Sequence, residues 1–235
     1  MKRTKRFQWM AALMLGMAMT CVTMITSCTA EDNPVDVPGD VPNVGGATVK
    51  ELSELTTAEI GWVIGADGKA YSSVWQAMAN HTETVADLTY ISKTPDEVLH
   101  FLAIAHRDEK EPYGGYKFNW HDAKARCEGK DKIAGCEWRL PSLKDWELMI
   151  FGNYAERSDR VECDDFWSLQ ISTGFEDLAQ NWYWTSEYKD EGNGMMKVRM
   201  MGFRYEGVHM YADFSLGWKS YDDNNVARAV LAYNM

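Results

Sequence analysis

Positive charge is scarce in this chain of 235 residues, where 24 Lys and Arg face 35 Asp and Glu, a formal net charge of −11. An acidic surface repels phosphate backbones, so we expect no nucleic acid among the partners. The sequence also lacks the G-x-S-x-G, phosphate-loop and dinucleotide-binding patterns of common enzymes. We therefore predict a protein without catalytic activity. A hydrolase of surface polymers stays open as an alternative, because carboxylates that could form a catalytic pair are numerous.

Long apolar runs are absent except near the start of the chain, where residues 9–25 carry no charge. Four basic residues precede this run, which is short for a membrane-spanning helix. The run ends in Ile25-Thr26-Ser27-Cys28, which resembles the lipobox of exported lipoproteins. We predict that residues 1–27 are a signal peptide and that Cys28 becomes a lipidated N-terminus held in the membrane by acyl chains such as palmitate. An ordinary transmembrane anchor with an incidental cysteine is the alternative.

The residues that follow Cys28 bear on where the protein faces. Glu31 and Asp32 resemble the acidic signals that send some outer-membrane lipoproteins to the cell exterior, whereas a solvated tether facing the periplasm is the alternative. Proline and glycine are concentrated in residues 34–46. This composition predicts a flexible tether over residues 28–60, followed by one folded domain over residues 61–235. Loss of the signal peptide leaves 20 Lys and Arg against 35 Asp and Glu, a formal charge of −15.

Cysteine is also sparse, with five residues in the whole chain. Cys21 leaves with the predicted signal peptide and Cys28 is the predicted lipidation site. The remaining three, Cys127, Cys136 and Cys163, are too few for a structural zinc site, which normally has four ligands. The short spacing between Cys127 and Cys136 favours a disulfide in an oxidising envelope. Cys163 is then a buried free thiol, or the partner of one of the other two.

Helix caps and alternating apolar residues predict a mixed α+β fold. Ser73, Asn119 and Ser142 are typical N-cap residues of helices that we place at about 74–78, 120–127 and 143–151, with a further short helix at 163–172. An Asp-Gly turn at 67–68 predicts a hairpin. The predicted strands span residues 62–64, 70–71, 85–92, 100–107, 138–140, 182–186, 195–203, 207–214 and 226–233.

Several short segments carry a resemblance to a known group of proteins. They are Ile64-Gly65-Ala66-Asp67-Gly68-Lys69, the 119–127 helix, Trp138-Arg139-Leu140-Pro141-Ser142 with Trp146, Tyr183-Trp184-Thr185-Ser186 and Ala227-Arg228-Ala229-Val230. In this order they resemble the Lcl C-terminal-like and major-paralogous-domain group of bacterial envelope proteins. The resemblance implies a C-type-lectin-like fold over residues 61–235, with two main helices packed on a twisted antiparallel sheet. Members of this group are often adhesive.

The resemblance also implies a ligand face in the strand-rich second half of the domain. Four aromatic side chains there are the candidate ligand-binding residues: Trp182, Tyr188, Trp218 and Tyr221. Aromatic rings stack on the apolar faces of sugars and anchor protein interfaces. Packing beneath long loops is the alternative role for these rings. We expect a non-catalytic domain that binds a glycan or a protein at the cell surface, or else a structural or assembly component of an envelope appendage.

A second candidate site is the acidic turn before the last predicted strand. Asp222, Asp223 and Asn224 supply hard oxygen ligands that could hold Ca²⁺, although a solvated acidic turn is the commoner use of such residues. We expect no other cofactor. Arg139 and Arg228 are expected to be structural cations, paired with internal carboxylates or carbonyls.

Overall fold

The computed structural model describes residues 48–94, 99–110, 115–178, 181–192, 195–214 and 217–234. The predicted signal peptide, Cys28 and most of the predicted tether lie outside these residues. Fourteen strands and four α-helices make up the described part, which is an α+β protein as the sequence predicted. No helix within these ranges is both long and apolar enough to cross a membrane.

The four helices of the described part lie in the first three quarters of the chain, and the last six strands follow one another without a helix. The helices are α1 (Val74–Ala79), α2 (Trp120–Glu128), α3 (Leu143–Phe151) and α4 (Asp164–Thr173), and two short 3₁₀ helices cover Leu52–Glu54 and Thr57–Glu59. The strands are β1 (Val49–Glu51), β2 (Val63–Gly65), β3 (Lys69–Tyr71), β4 (Thr84–Ile91), β5 (Leu99–Ala105), β6 (Lys117–Phe118), β7 (Glu137–Arg139), β8 (Arg160–Glu162), β9 (Trp182–Asp190), β10 (Met196–Glu206), β11 (His209–Asp213), β12 (Lys219–Ser220), β13 (Asn225–Val226) and β14 (Val230–Asn234).

These strands form two sheets of seven strands each. The first sheet has the order β1-β3-β2-β4-β5-β14-β7 and is antiparallel throughout. The second has the order β6-β13-β9-β10-β11-β8, with β12 also paired to β10. Its single parallel pair joins β13 to β9. The sequence resemblance implied one twisted antiparallel sheet, so the division into two sheets is a correction.

Local sequence explains where the elements begin. Ser142 and Asp145 form a reciprocal capping box at the start of α3, and the Asn119 side chain accepts a hydrogen bond from the Asp122 amide at the start of α2. Both predicted helix starts are therefore confirmed. At the β2–β3 turn, Gly68 has a φ of +81°, which favours glycine over residues with a Cβ. A Cβ there would also approach the Ala134 side chain to 2.9 Å.

Two large hydrophobic clusters stabilise the fold, with a smaller one of Val63, Tyr71 and Ala77, and each sheet contributes side chains to both large clusters. β9 shows the reason: Trp184 lies in the cluster covered by α2, whereas its neighbour Tyr183 lies in the cluster covered by α3 and α4. Successive side chains of a strand point to opposite faces, so a central strand with apolar residues in sequence supplies both sides. Trp184 and Tyr183 are fully buried.

The N-terminal boundary of the domain differs from the predicted one. We expected a tether up to residue 60, but Val49 pairs with Tyr71 in the first sheet. Leu52 and Leu55 are buried in the core. Thr56 and Glu59 form a capping box, in which the Glu59 carboxylate accepts a hydrogen bond from the Thr56 amide at the start of the 3₁₀ helix. The folded part therefore includes residues 49–60, because two leucines there are buried and β1 completes the edge of the sheet.

The C-terminal strand also differs from the prediction. The sequence predicts one strand over 226–233, whereas the structure has β13 in the second sheet and β14 in the first. Between them, residues 227–229 cross from one sheet to the other. Arg228 is fully buried in this crossing, and its side chain needs polar partners that a regular strand with apolar neighbours would not supply.

The three cysteines of the domain are free, buried thiols, so the predicted Cys127–Cys136 disulfide is not present in the structure. Both residues belong to the cluster beside α2. Burial raises the pKa of Cys136 to about 11 and that of Cys163 to about 12, and it raises the pKa of Cys127 well above its usual value. Since the thiolate is the reactive form, burial keeps all three cysteines unreactive.

Candidate functional site

Two of the predicted ligand-binding aromatics lie exposed on the second sheet beside cationic side chains. Trp182, the first residue of β9, is 47% exposed, and Lys219 Nζ lies 5.7 Å from its ring centroid. Trp218 is 36% exposed and lies between two cations, with Lys189 Nζ at 5.1 Å and the Arg199 guanidinium at 5.7 Å. Such distances are typical of cation–π contacts.

The two predicted tyrosines belong to a chain of aromatic rings that starts in the core. Tyr188 is 59% exposed, and its ring centroid lies 5.4 Å from that of buried Trp120. Trp120 contacts His121, which contacts Tyr221 at 5.4 Å. Tyr221 packs against the core and is only partly exposed. Packing beneath the loops, the alternative considered for all four rings, therefore describes Tyr221 but not the other three.

Strand register places these rings along β9 and β10. Tyr188 pairs with Val198, which also pairs with Lys219 of β12, and Trp182 pairs with Gly202. Four residues of β10 thus separate the two pairings, which is about 13 Å along a strand. We call this region the aromatic–cation surface, and it consists of Trp182, Tyr188, Trp218, Lys189, Arg199 and Lys219. Adjacent strand residues alternate between faces, so Tyr188 and Lys219 lie on one face, and Lys189 with the Trp218 ring against it lies on the other.

Charge on this surface contrasts with the acidity of the whole chain. Lys189 and Lys197 both pair with Glu191, at 2.7 and 3.0 Å. No salt bridge involves Lys219 or Arg199 among the described residues, although both lie against tryptophan rings. A flat ligand that stacks on an indole and carries an anionic group would thus meet a cation at the same place.

The residues of the predicted calcium turn are exposed, and calcium binding there stays a prediction. Asp222, Asp223 and Asn224 are exposed between β12 and β13, and the Asp223 amide donates to the Ser220 carbonyl at 3.1 Å. No His, Cys, Asp or Glu joins the two aspartates in a group of three within the described ranges. The turn geometry accounts for these residues as a solvated acidic turn, the alternative named above.

A group with metal-binding potential lies elsewhere and escaped the sequence analysis. Glu162, Asp164 and His209 offer three ligand atoms within 4.8 Å of one another, and pairing of β8 with β11 brings them together. The hydrogen bond from the Met210 amide and that with His209 lower the pKa of Asp164, which in turn raises the pKa of His209. These hydrogen bonds join β8, α4 and β11, so a structural role explains the group without a metal ion. The only signal in the sequence was the Glu-x-Asp spacing.

A buried ionic centre holds the crossing segment in place. Arg228 Nε donates to Asp108 at 2.5 Å, and its Nη atoms donate to the carbonyls of Ala105 and Glu176, each at 3.0 Å. The Tyr183 hydroxyl donates to the other Asp108 oxygen at 3.2 Å. Burial still raises the pKa of Asp108 despite the arginine. The prediction of a structural cation at Arg228 is confirmed, as it is for Arg139, which pairs with Asp145.

Beside this centre lies a cleft of about 390 Å³ with a histidine–carboxylate pair at its wall. His106 Nδ1 lies 2.9 Å from Oδ2 of fully buried Asp87, and burial raises the pKa of Asp87. A buried carboxylate that orients an imidazole also occurs in hydrolase sites. Here Asp108, the buried acid in the described lining of the cleft, is paired with Arg228. The buried carboxylate of the cleft is therefore not free to join the carboxylate pair of a glycoside hydrolase.

A second cleft of about 590 Å³ lies between the first sheet and α3. Its walls include Tyr90, Leu99, Leu148 and Tyr154, with Lys144 Nζ 5.5 Å from the Tyr154 ring. The described lining contains no carboxylate side chain. The lining combines these apolar side chains with the cations of Lys93 and Lys144.

Comparisons with known proteins add no identification. Searches against protein-family models, curated protein sequences and solved structures found no match for this chain. The functional argument consequently depends on the residues described above and on the resemblance of the short segments.

Proposed function

We propose that this protein is a lipid-anchored protein of the outer membrane whose C-type-lectin-like domain binds an acidic glycan at the cell surface without catalysis. The anchor part of the proposal depends on the basic and apolar residues before Cys28 and on the lipobox-like sequence Ile25-Thr26-Ser27-Cys28. The fold part depends on the short sequence segments and agrees with an α+β domain in which α2 and α3 pack on antiparallel strands.

The observation that carries the ligand proposal is the exposure of Trp182 and Trp218, each in contact with a cation. An exposed indole beside a cation offers a flat apolar face on which a sugar ring can stack. A sugar ring that replaces Lys219 over the Trp182 indole would release the ammonium group to pair with a carboxylate or sulfate of the ligand. The cations also offset the repulsion that an acidic domain would otherwise exert on an anionic polymer.

A glycan-array screen of the lipidated protein, solubilised in detergent, tests this proposal. We expect binding to acidic glycans, and we expect Trp182→Ala or Trp218→Ala to weaken it by about thirty-fold, which corresponds to about 2 kcal/mol for a buried aromatic anchor. Trp75→Ala is the matched control, because Trp75 is also exposed but lies in α1. Equal loss in the control would show a general effect and contradict the proposal.

The charged part of the proposal has its own test. Lys219→Gln should weaken binding of acidic glycans and reduce its dependence on salt concentration, while leaving any binding of neutral glycans unchanged. The screen should give the same result with calcium and with chelator, because the 222–224 turn is not part of the proposed surface. Absence of glycan binding, together with a stoichiometric crosslinked partner in cells, would favour an assembly component of the envelope instead.

Two further measurements test the anchor. Labelling with an acyl-chain precursor should mark the wild-type protein and not Cys28→Ser. Protease treatment of intact cells should then remove the domain, whereas complete protection would place it on the periplasmic side of the membrane.

A further inference from the structure

A second exposed apolar surface lies on α1, away from the strands of the aromatic–cation surface. Trp75 is 77% exposed and Met78 is 57% exposed, and their i, i+3 spacing places them on the same side of the helix. The opposite side of α1 is used for packing, since Ala77 is fully buried against Val63 and Tyr71. Helix α1 is therefore packed on the domain through one side, while Trp75 and Met78 are exposed on the other.

The sequence around this surface contains no charge. Residues 70–82 include no Asp, Glu, Lys or Arg, in a chain where these types make up 25% of the residues. The flanking charged residues are Lys69 and Glu83. An uncharged surface with a tryptophan at its centre can enter the interfacial layer of a membrane without stripping water from an ion.

The chain enters the folded domain beside this surface. The Ser72 amide donates to the Thr48 carbonyl at 3.0 Å, and Val49 pairs with Tyr71, so the chain enters the folded domain beside the first turn of α1. Residues 29–47 connect Cys28 to this point and can span at most about 70 Å when fully extended. Tethering on this scale gives a high effective concentration, so that even a weak contact with the membrane is populated.

We propose that Trp75 and Met78 insert into the interfacial layer of the membrane that carries the anchor, and thereby set the orientation of the domain. This inference rests on the lipid anchor of the proposed function. Two side chains form too small an area for a specific protein interface, which usually buries more than about 1,000 Å². They are sufficient for a contact that the tether supports, because interfacial binding increases with the apolar area that is buried.

The test uses the full lipidated protein reconstituted into phosphatidylcholine–phosphatidylglycerol vesicles whose acyl chains are brominated. Bromine quenches tryptophan only in the membrane, and Trp75 is one of nine tryptophans after Cys28. We expect brominated lipid to remove a component of the emission that is lost in Trp75→Phe and kept in Trp182→Phe. Met78→Ser should decrease the quenching without lowering the melting temperature, because its side chain is exposed.

Flotation of the same vesicles separates this inference from the proposed function. Protein that floats but shows equal quenching in wild type and Trp75→Phe would overturn the membrane contact and leave the anchor intact. Protein that does not float would overturn both, because the contact needs the anchor. A stable dimer that dissociates in the Trp75→Phe variant would assign the surface to a second copy of the chain and also overturn the inference.

Discussion

The buried ionic centre gives a stability prediction that can be worked out from its contacts. In Arg228→Met, the Asp108 carboxylate keeps the hydrogen bond from Tyr183 but loses the cation, and the Ala105 and Glu176 carbonyls lose their donors. Removing one partner of a buried ion pair leaves an uncompensated charge and costs about 3–5 kcal/mol. For a domain of this size, that loss corresponds to a fall in melting temperature of roughly 6–20 °C.

The assay is urea unfolding and thermal melting of the variant over a range of pH. The pKa of Asp108 is already raised by burial, and loss of the arginine should raise it further. A raised pKa means that the folded state retains its proton where the unfolded state, with a pKa of about 3.9, has lost it. The contribution of Asp108 to the stability of the variant should therefore be most favourable below pH 4 and fall as pH rises through the folded pKa, so the difference from wild type widens toward neutral pH.

Two further variants make this prediction refutable. Arg204→Met removes an exposed arginine with ion pairs at 3.5 and 3.8 Å and should cost less than about 1 kcal/mol. Arg228→Met combined with Asp108→Leu removes both buried charges and should recover part of the loss. If Arg228→Met lies within about 1 kcal/mol of wild type, or if its stability does not depend on pH more steeply than wild type, the argument from uncompensated charge is wrong.

Two remaining predictions concern the cysteines and the His209 group. Under non-reducing conditions, Cys127, Cys136 and Cys163 should react with a thiol reagent only after unfolding, and mass spectrometry should then count three modified thiols. A single modified thiol would instead show that two of the three form a disulfide. Nuclear magnetic resonance should give His209 a pKa above its usual value of about 6.5, which Asp164→Asn should lower. The ion pair of His209 with Asp164 stabilises the fold below the usual histidine pKa, and this stabilisation is lost as pH rises through the raised pKa of His209. An unchanged His209 titration in Asp164→Asn would contradict this prediction.

Helix starts were predictable because their signals are local. Asn119 and Ser142 accept hydrogen bonds from amides three residues further along the chain, so the sequence alone contains both partners. Most strands were also predictable from their apolar patterns. Sheet membership was not, because it is decided by pairings between distant segments, such as that of Val230 with Ile104. The single strand predicted over residues 226–233 is the clearest example.

The sequence predicted which aromatic residues form the candidate site but not which of their side chains are exposed. Trp182 and Tyr221 look alike in sequence, yet the first is exposed and the second packs against the core through His121. Exposure depends on what lies on the facing element, which no local pattern contains. The same reason explains why the group around His209 was missed, since its members come from segments more than forty residues apart.

Strand β14 has a consequence for how the protein is made. Residues 230–234 form an interior strand of the first sheet, with β5 on one side and β7 on the other. Everything synthesised before them can form hairpins, but β7 has no other strand to pair with and the sheet stays open. The first sheet can therefore close only after residues 230–234 have been synthesised. The strands described for the second sheet contain no residue beyond Val226, so this delay applies to the first sheet alone.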